Sequence, residues 1–346
     1  MHRLIVASIS ASTGKTSAIV GMGLGLNQKA GYLKPFGDRL LYRKKRLWDY
    51  DAALFENIFK LEDNPEDLSI GFDHSKLRFM YDEAGTKEKL NEVLAHVERD
   101  KEVVFIEAGR CISYGGSVHL DAVSVARHTG GKLVFVVGVD ECQALDEVHL
   151  IRHHLNLEGV DFAGVIVNKI HDIEDFRATY VPMIEEMGVP VLGVVPYLPE
   201  MTRLSVRFLA DSLFAKVIAG EPGLDRVVRN IFVGAMSTDA AMRNPLFAKG
   251  EKLVITSGDR SDMILTALEG TTAAVVVTNN MFPPAHIISR AEEKQVPLLQ
   301  VSADTYQVAK QVDDLERLLT PQESDKIELL KKTFGESVKL ESVLGA

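Results

Sequence analysis

The sequence predicts an α/β protein built on parallel sheet and divided into two domains. Strand-sized apolar runs alternate with amphipathic helical stretches, and the spacing between runs suits crossovers between parallel strands. The residues with most chemical potential lie just after those runs, at the edge where open α/β sheets bind ligands. At 346 residues the chain is too long for one typical core.

The first strand is expected at Leu4–Ala7. It feeds the small-residue loop Ser8-Ile9-Ser10-Ala11-Ser12-Thr13-Gly14-Lys15-Thr16-Ser17, which opens onto a helix. This is the pattern of a phosphate-binding loop. Gly14 lets the backbone approach an anion, Lys15 can reach phosphate oxygens, and the Thr16 hydroxyl can ligate Mg²⁺. The first N–H groups of the helix point to the same place. Ser12, Thr13, Gly14, Lys15, Thr16 and Ser17 are therefore the expected nucleotide contacts, and the first domain is expected to be of P-loop NTPase type. The consensus glycine five residues before Gly14 is replaced by Ile9, and Ser8 opens a loop one residue longer. A plain βα turn with a surface lysine is the alternative.

The helix is expected from about Thr16 to Lys29, stopped by Gly31. Its Gly21, Gly23 and Gly25 each weaken a helix by roughly 1 kcal/mol relative to alanine. Close packing against a sheet is the expected reason. Gly31-Tyr-Leu-Lys34-Pro35 reads as a second strand. Lys34 at its carboxyl end can meet substrate or phosphate charge, or simply be solvated. Arg39 and the run Arg43-Lys44-Lys45-Arg46 read as a solvated face before any anion site. Asp51 opens an amphipathic helix, as its cap or as a Mg²⁺ ligand. Residues 61–80 read as irregular and Lys87–Arg99 as a helix.

Glu102–Glu107 is a buried-type strand, and Glu107 at its end fits a metal- or water-positioning acid. The glycine-rich loop Ser113–Asp121 could close over a substrate or be only a turn. Lys132–Val139, Phe162–Lys169 and Pro190–Pro196 are further strands. Asn168 at the end of the second could pair with a purine edge or cap a turn. Pro196 begins a stiff loop, and Ser205–Ile218 is expected as a helix. Glu221-Pro222-Gly223 reads as a linker. Beyond it a second alternation has strands Asn230–Gly234, Lys252–Ser257, Ala273–Thr278 and Pro297–Ser302. Residues 1–219 are thus the expected nucleotide-binding domain, 224–320 a smaller α/β domain and 321–346 a helical tail. That tail opens on a capping box, Thr320-Pro321-Gln322-Glu323.

Composition excludes several classes. A net charge of −10 argues against a general nucleic-acid binder. Cys111 and Cys142 are the only cysteines, so no disulfide framework is implied and a cytoplasmic location is expected. The longest apolar runs are strand-sized, so no membrane partner is expected, and the N-terminus does not read as a signal peptide.

The first domain resembles the dethiobiotin synthetase family. The matching residues are the loop ending Gly14-Lys15-Thr16, Lys34-Pro35, Asp51, Glu107-Ala-Gly, Val167-Asn168-Lys169 and Gly193–Glu200. The resemblance implies ATP and Mg²⁺ as cofactors. Thr16, Asp51 and Glu107 would hold the metal, Lys15 and Lys34 would sit among phosphates and substrate, and Asn168 and Pro196 would face adenine. Ser8, Ser12, Asp38 and Arg110 depart from the family pattern around the loop and substrate and argue against the same reaction. The second domain resembles the DRTGG regulatory module through Arg229–Asp239, Gly258-Asp259-Arg260 and the strand ending at Thr278. Asn279-Asn280 stands where that module has a glycine pair. Together the two resemble the N-terminal region of phosphate acetyltransferases, in a stand-alone form without the acetyltransferase catalytic domain.

The expected function is a nucleotide-sensing regulator tied to acetyl phosphate and acetyl-CoA metabolism, with or without a slow ATPase activity. The alternative is an enzyme that activates a small carboxylate by phosphoryl transfer, with Lys15, Lys34 and Glu107 catalytic. A scaffold without ligand binding is a third reading. Expected partners are a nucleotide, a phosphate acetyltransferase or related enzyme, and further copies of the chain.

Overall fold

A computed structural model describes residues 1–43, 46–138, 140–315 and 317–344. The chain forms two compact units, Met1–Leu198 with Leu319–Ala346, and Pro199–Leu318.

The first unit begins β1 (His2–Ala7), α1 (Lys15–Gly25), β2 (Ala30–Leu33), β3 (Leu40–Arg43), β4 (Arg46–Asp49), α2 (Tyr50–Phe59), α3 (His74–Met80) and α4 (Glu83–Val97). It continues β5 (Val103–Glu107), α5 (Ala122–Thr129), β6 (Lys132–Val137), α6 (Glu141–His154), β7 (Asp161–Ile170), α7 (Ile173–Asp175), α8 (Val181–Glu186) and β8 (Val191–Pro196). The main sheet has the order β2-β5-β1-β6-β7-β8, all parallel. Both faces of its strands are covered, which is why they read as continuous apolar runs with β2 and β5 wholly buried. The chain fills one side of β1 first and the other side later, so the order reverses at β1. Ligand crevices form at such a point. Register sets Glu107 opposite Val6, so the buried acid ends level with the start of the phosphate loop.

Several local readings change. The charged run after Arg39 is an antiparallel hairpin of β3 and β4, with Lys44 and Lys45 outside the described residues. Residues 61–80 carry α3, capped by the Asp73 carboxylate on the Lys76 N–H. It spans only two turns, too short for its apolar period to show. The strand expected to Val139 ends at Val137, and Val139 lies outside the described residues. The first helix stops at Gly25 rather than Lys29, because Asn27 turns left-handed at φ 50°.

The second unit contains β9 (Leu204–Ser205), α9 (Val206–Ser212), β10 (Lys216–Ala219), β11 (Val227–Val228), β12 (Asn230–Val233), α10 (Thr238–Met242) and α11 (Pro245–Ala248). Then follow β13 (Lys252–Ser257), α12 (Ser261–Glu269), β14 (Thr272–Thr278), α13 (Ala285–Glu293), β15 (Leu298–Gln300) and α14 (Thr305–Asp313). Its sheet runs β10-β15-β14-β13-β12, parallel except for β10. Two apolar clusters, around Leu253 and Leu299 and around Val254 and Val275, cover its faces.

The boundary expected after residue 219 falls instead after Leu198. The stretch expected as one helix from Ser205 to Ile218 is α9 followed by β10, and β10 pairs with β15. Its backbone hydrogen bonds therefore bind residues 216–219 to the second unit. The chain returns to the first unit as α15 (Ser324–Ser337) and α16 (Leu340–Leu344). The Glu323 carboxylate accepts from the Thr320 N–H and hydroxyl, but the helix starts only at Ser324, so the capping box forms one turn early. Leu330 and Phe334 are buried. A Cβ on Gly21 would lie 2.5 Å from the Phe334 side chain, and one on Gly23 would lie 2.4 Å from Phe59. Helices, not only the sheet, demand these glycines.

Candidate functional site

The site is built where β1, β2, β5 and β7 end. Gly14 has φ 102° and caps α1, and a Cβ there would lie 2.4 Å from Asn168 Nδ2. Glycine is needed for both conformation and space. Lys15 is buried, and its Nζ donates to Ser8 Oγ at 2.8 Å and to the Arg110 carbonyl at 3.3 Å. Burial lowers its pKa, against the pull of Glu107. The serine that opens the loop thus holds the loop lysine.

Thr16 Oγ1 donates to Glu107 Oε1 at 3.0 Å, and Tyr32 Oη donates to Glu107 Oε2 at 2.7 Å. Burial, and then the Asp51 charge, raise the Glu107 pKa to about 7. Tyr32 stacks on Phe55 with ring centroids 4.0 Å apart, which fixes its hydroxyl toward the acid.

A second cluster surrounds Lys34, which is 1% exposed. Its Nζ lies 2.5 Å from Asp51 Oδ2, 2.6 Å from Asp38 Oδ1 and 3.6 Å from Asp49 Oδ1. Arg39 donates to the same Asp51 oxygen at 2.9 Å. Burial pushes Asp51 up, but Lys34 and Arg39 outweigh it and hold its pKa below the usual value. Burial opposes the Lys34 charge, yet Asp51 and the other carboxylates hold its pKa well above normal. Asp49, not Asp51, caps α2, accepting from the Asp51 and Ala52 N–H groups. The cap reading of Asp51 therefore passes to Asp49, and Asp51 is free to serve the cluster.

From β7, Asn168 Nδ2 donates to the Thr13 carbonyl at 2.8 Å and Lys169 Nζ to the Ser12 carbonyl at 2.5 Å. The end of this strand braces the phosphate loop. Pro196 stands one strand further out, opposite Ile170 and outside this hydrogen-bonded set. The loop after Gly109 folds back over the end of β2. Tyr114 stacks on Phe36 at 5.0 Å and donates to the Gly37 carbonyl at 3.3 Å.

Thr16 and Glu107 are thus joined, as are Lys34 and Asp51, Lys15 bonds Ser8 and the Arg110 carbonyl beside them, and Asn168 reaches the loop through Thr13. Sequence reasoning missed Tyr32 and Asp49. A strand tyrosine looks like core, and two aspartates two residues apart before one apolar run leave the cap ambiguous. It also gave Lys169 no role, although its place beside Asn168 was a signal. A separate cleft of about 900 Å³ opens at the amino ends of β2 and β5, lined by Phe59, Asp63, His96 and Lys101. The phosphate loop and the buried charges lie at the opposite edge, where parallel sheets place ligands.

A nucleotide with Mg²⁺ fits the residues at the carboxyl edge. Among the described residues, the buried Thr13 hydroxyl has no hydrogen-bond partner. A hydroxyl beside a carboxylate, as at Thr16 and Glu107, is a hard oxygen set suited to Mg²⁺.

Comparison with known proteins adds to this geometry. Residues 2–205 match the AAA domain family AAA_26, and residues 209–315 match the DRTGG domain. A phosphate acetyltransferase from Pseudomonas putida is 29% identical over 181 residues, 48% of this chain and 26% of the relative. One from Synechocystis sp. is 24% identical over 212 residues, 58% of this chain and 30% of the relative. The chain therefore spans less than a third of the length of these relatives. The MinD cell division protein of Aquifex aeolicus is similar in structure at 15% identity and a TM-score of 0.37, over 58% of this chain and 84% of that one.

Proposed function

The chain belongs to the AAA domain family AAA_26, and we propose that it is an ATP·Mg²⁺-binding regulator whose DRTGG domain passes on nucleotide occupancy. The observation that carries this reading is the meeting of Lys15, Thr16 and Glu107 at one sheet edge, with Thr16 Oγ1 3.0 Å from Glu107. Lys15 would meet the phosphates. Thr16, Glu107 and Asp51 would hold Mg²⁺, and Asn168 and the Pro196 loop would border the base. Bound Mg²⁺ would neutralise charge on the phosphates. Homology to phosphate acetyltransferases supports a role in acetyl phosphate and acetyl-CoA metabolism, with such an enzyme as partner.

Thermal shift and calorimetry with ATP·Mg²⁺, GTP·Mg²⁺ and metal-free ATP test the reading. A metal-dependent shift is expected in wild type, and none in Lys15→Ala. Equal responses from both proteins would sink it. Phosphate release that rises on adding one carboxylic acid would instead favour phosphoryl transfer to that acid.

A further inference from the structure

We propose that Asp38 fills, from within the chain, the place at Lys34 that a small anionic co-substrate would take. The proposal rests on the reading of this edge as a nucleotide site. Lys34 stands at the carboxyl end of β2, where a strand-end lysine is placed to recruit an anion. It is enclosed instead, with two carboxylate oxygens within 2.6 Å and a third at 3.6 Å.

The three acids are not equivalent. Asp49 caps α2, and Asp51 shares its oxygen with Arg39. Both have structural work apart from Lys34. Among the described residues, Asp38 has Lys34 as its one cationic partner. Its backbone is nevertheless fixed, since its N–H donates to Asp49 Oδ2 at 3.0 Å. The turn before it is tight as well. A Cβ on Gly37 would lie 2.5 Å from the Phe72 ring and 3.0 Å from Asp49 Oδ2.

A carboxylate supplied by the chain competes at a high effective concentration against any carboxylate from solution. A free acid would have to expel Asp38 and leave it buried without its cation. The site is thereby specific for nucleotide alone, and Asp38 is the residue that makes it so.

Calorimetric titration of acetate and of succinate into nucleotide-free protein tests this. Wild type is expected to bind either acid at least about tenfold more weakly than Asp38→Gly, the gain expected when an internal competitor is removed. Asp38→Asn keeps the shape without the charge and should lie between them. Asp38→Gly combined with Lys34→Met should lose the gain. Wild type binding either acid as tightly as Asp38→Gly would overturn the proposal. So would the absence of any gain in Asp38→Asn and Asp38→Gly when circular dichroism shows both folded. ATP·Mg²⁺ binding by the same samples is scored separately. Its absence in wild type counts against the nucleotide reading, while the acid titration reports on Lys34.

Discussion

Glu107 is buried and bonded to Thr16 and Tyr32, and its pKa rises from 4.5 to about 7. Between those values the folded protein keeps a proton that the unfolded chain releases. Stability from this residue is therefore full below pH 4.5 and falls as pH rises through 7. The linked loss is on the order of 3 kcal/mol. Glu107→Gln mimics the protonated acid, so its urea midpoint should fall much less than that of wild type between pH 5 and pH 8. An equal fall in both proteins would remove Glu107 as the cause. Lys34→Met is predicted to cost about 3–5 kcal/mol in urea unfolding, because it strands buried carboxylates without their cation. Lys15 and Thr16 were legible because a phosphate loop needs its residues consecutive in the chain. Glu107 was legible because a buried strand rarely ends in an acid without use for it. The closing of Asp38, Asp49 and Asp51 on Lys34 was not, because a hairpin turn and a helix cap bring them there.

At the scale of elements, α1 is the revealing case. Its glycines were legible as positions of close approach, but the neighbour was not. Gly21 meets Phe334 of α15, a residue more than three hundred positions later that is 1% exposed. Gly21→Ala should destabilise the protein, since Phe334 has no room to yield. Phe334→Ala should cost about 3–5 kcal/mol through the cavity it leaves. The double variant should lose less than the sum, because the new methyl occupies part of that cavity. Additive losses in urea unfolding would show that the two positions do not press on each other. The same tail also covers a sheet edge. Val338 bridges Gly193 of β8, and Lys339 N–H donates to the Leu192 carbonyl at 2.9 Å.

At the scale of the molecule, the two compact units predict different responses to truncation. Residues 199–318 contain a complete five-stranded sheet with apolar clusters on its faces, and should unfold cooperatively when expressed alone. A chain ending at residue 318 loses α15 and α16, so its first unit should unfold at a lower urea midpoint than in the full chain. Circular dichroism in urea checks both. A non-cooperative 199–318 fragment, or an unchanged midpoint after removal of the tail, would contradict the division. No helix among the described residues is long and apolar enough to cross a membrane.

The alternation of strand and helix, the phosphate loop and the strand-end acid are written in consecutive residues, because periodicity and loop chemistry are local. The order of strands that gathers those ends on one edge is not local, nor is the return of the tail onto α1. Both depend on which apolar faces cover each other once the chain has collapsed. The same collapse set β10 in the second sheet and turned Asp38 onto Lys34. A strand chooses its sheet by available backbone partners, and a buried cation collects whichever carboxylates the surrounding turns present to it.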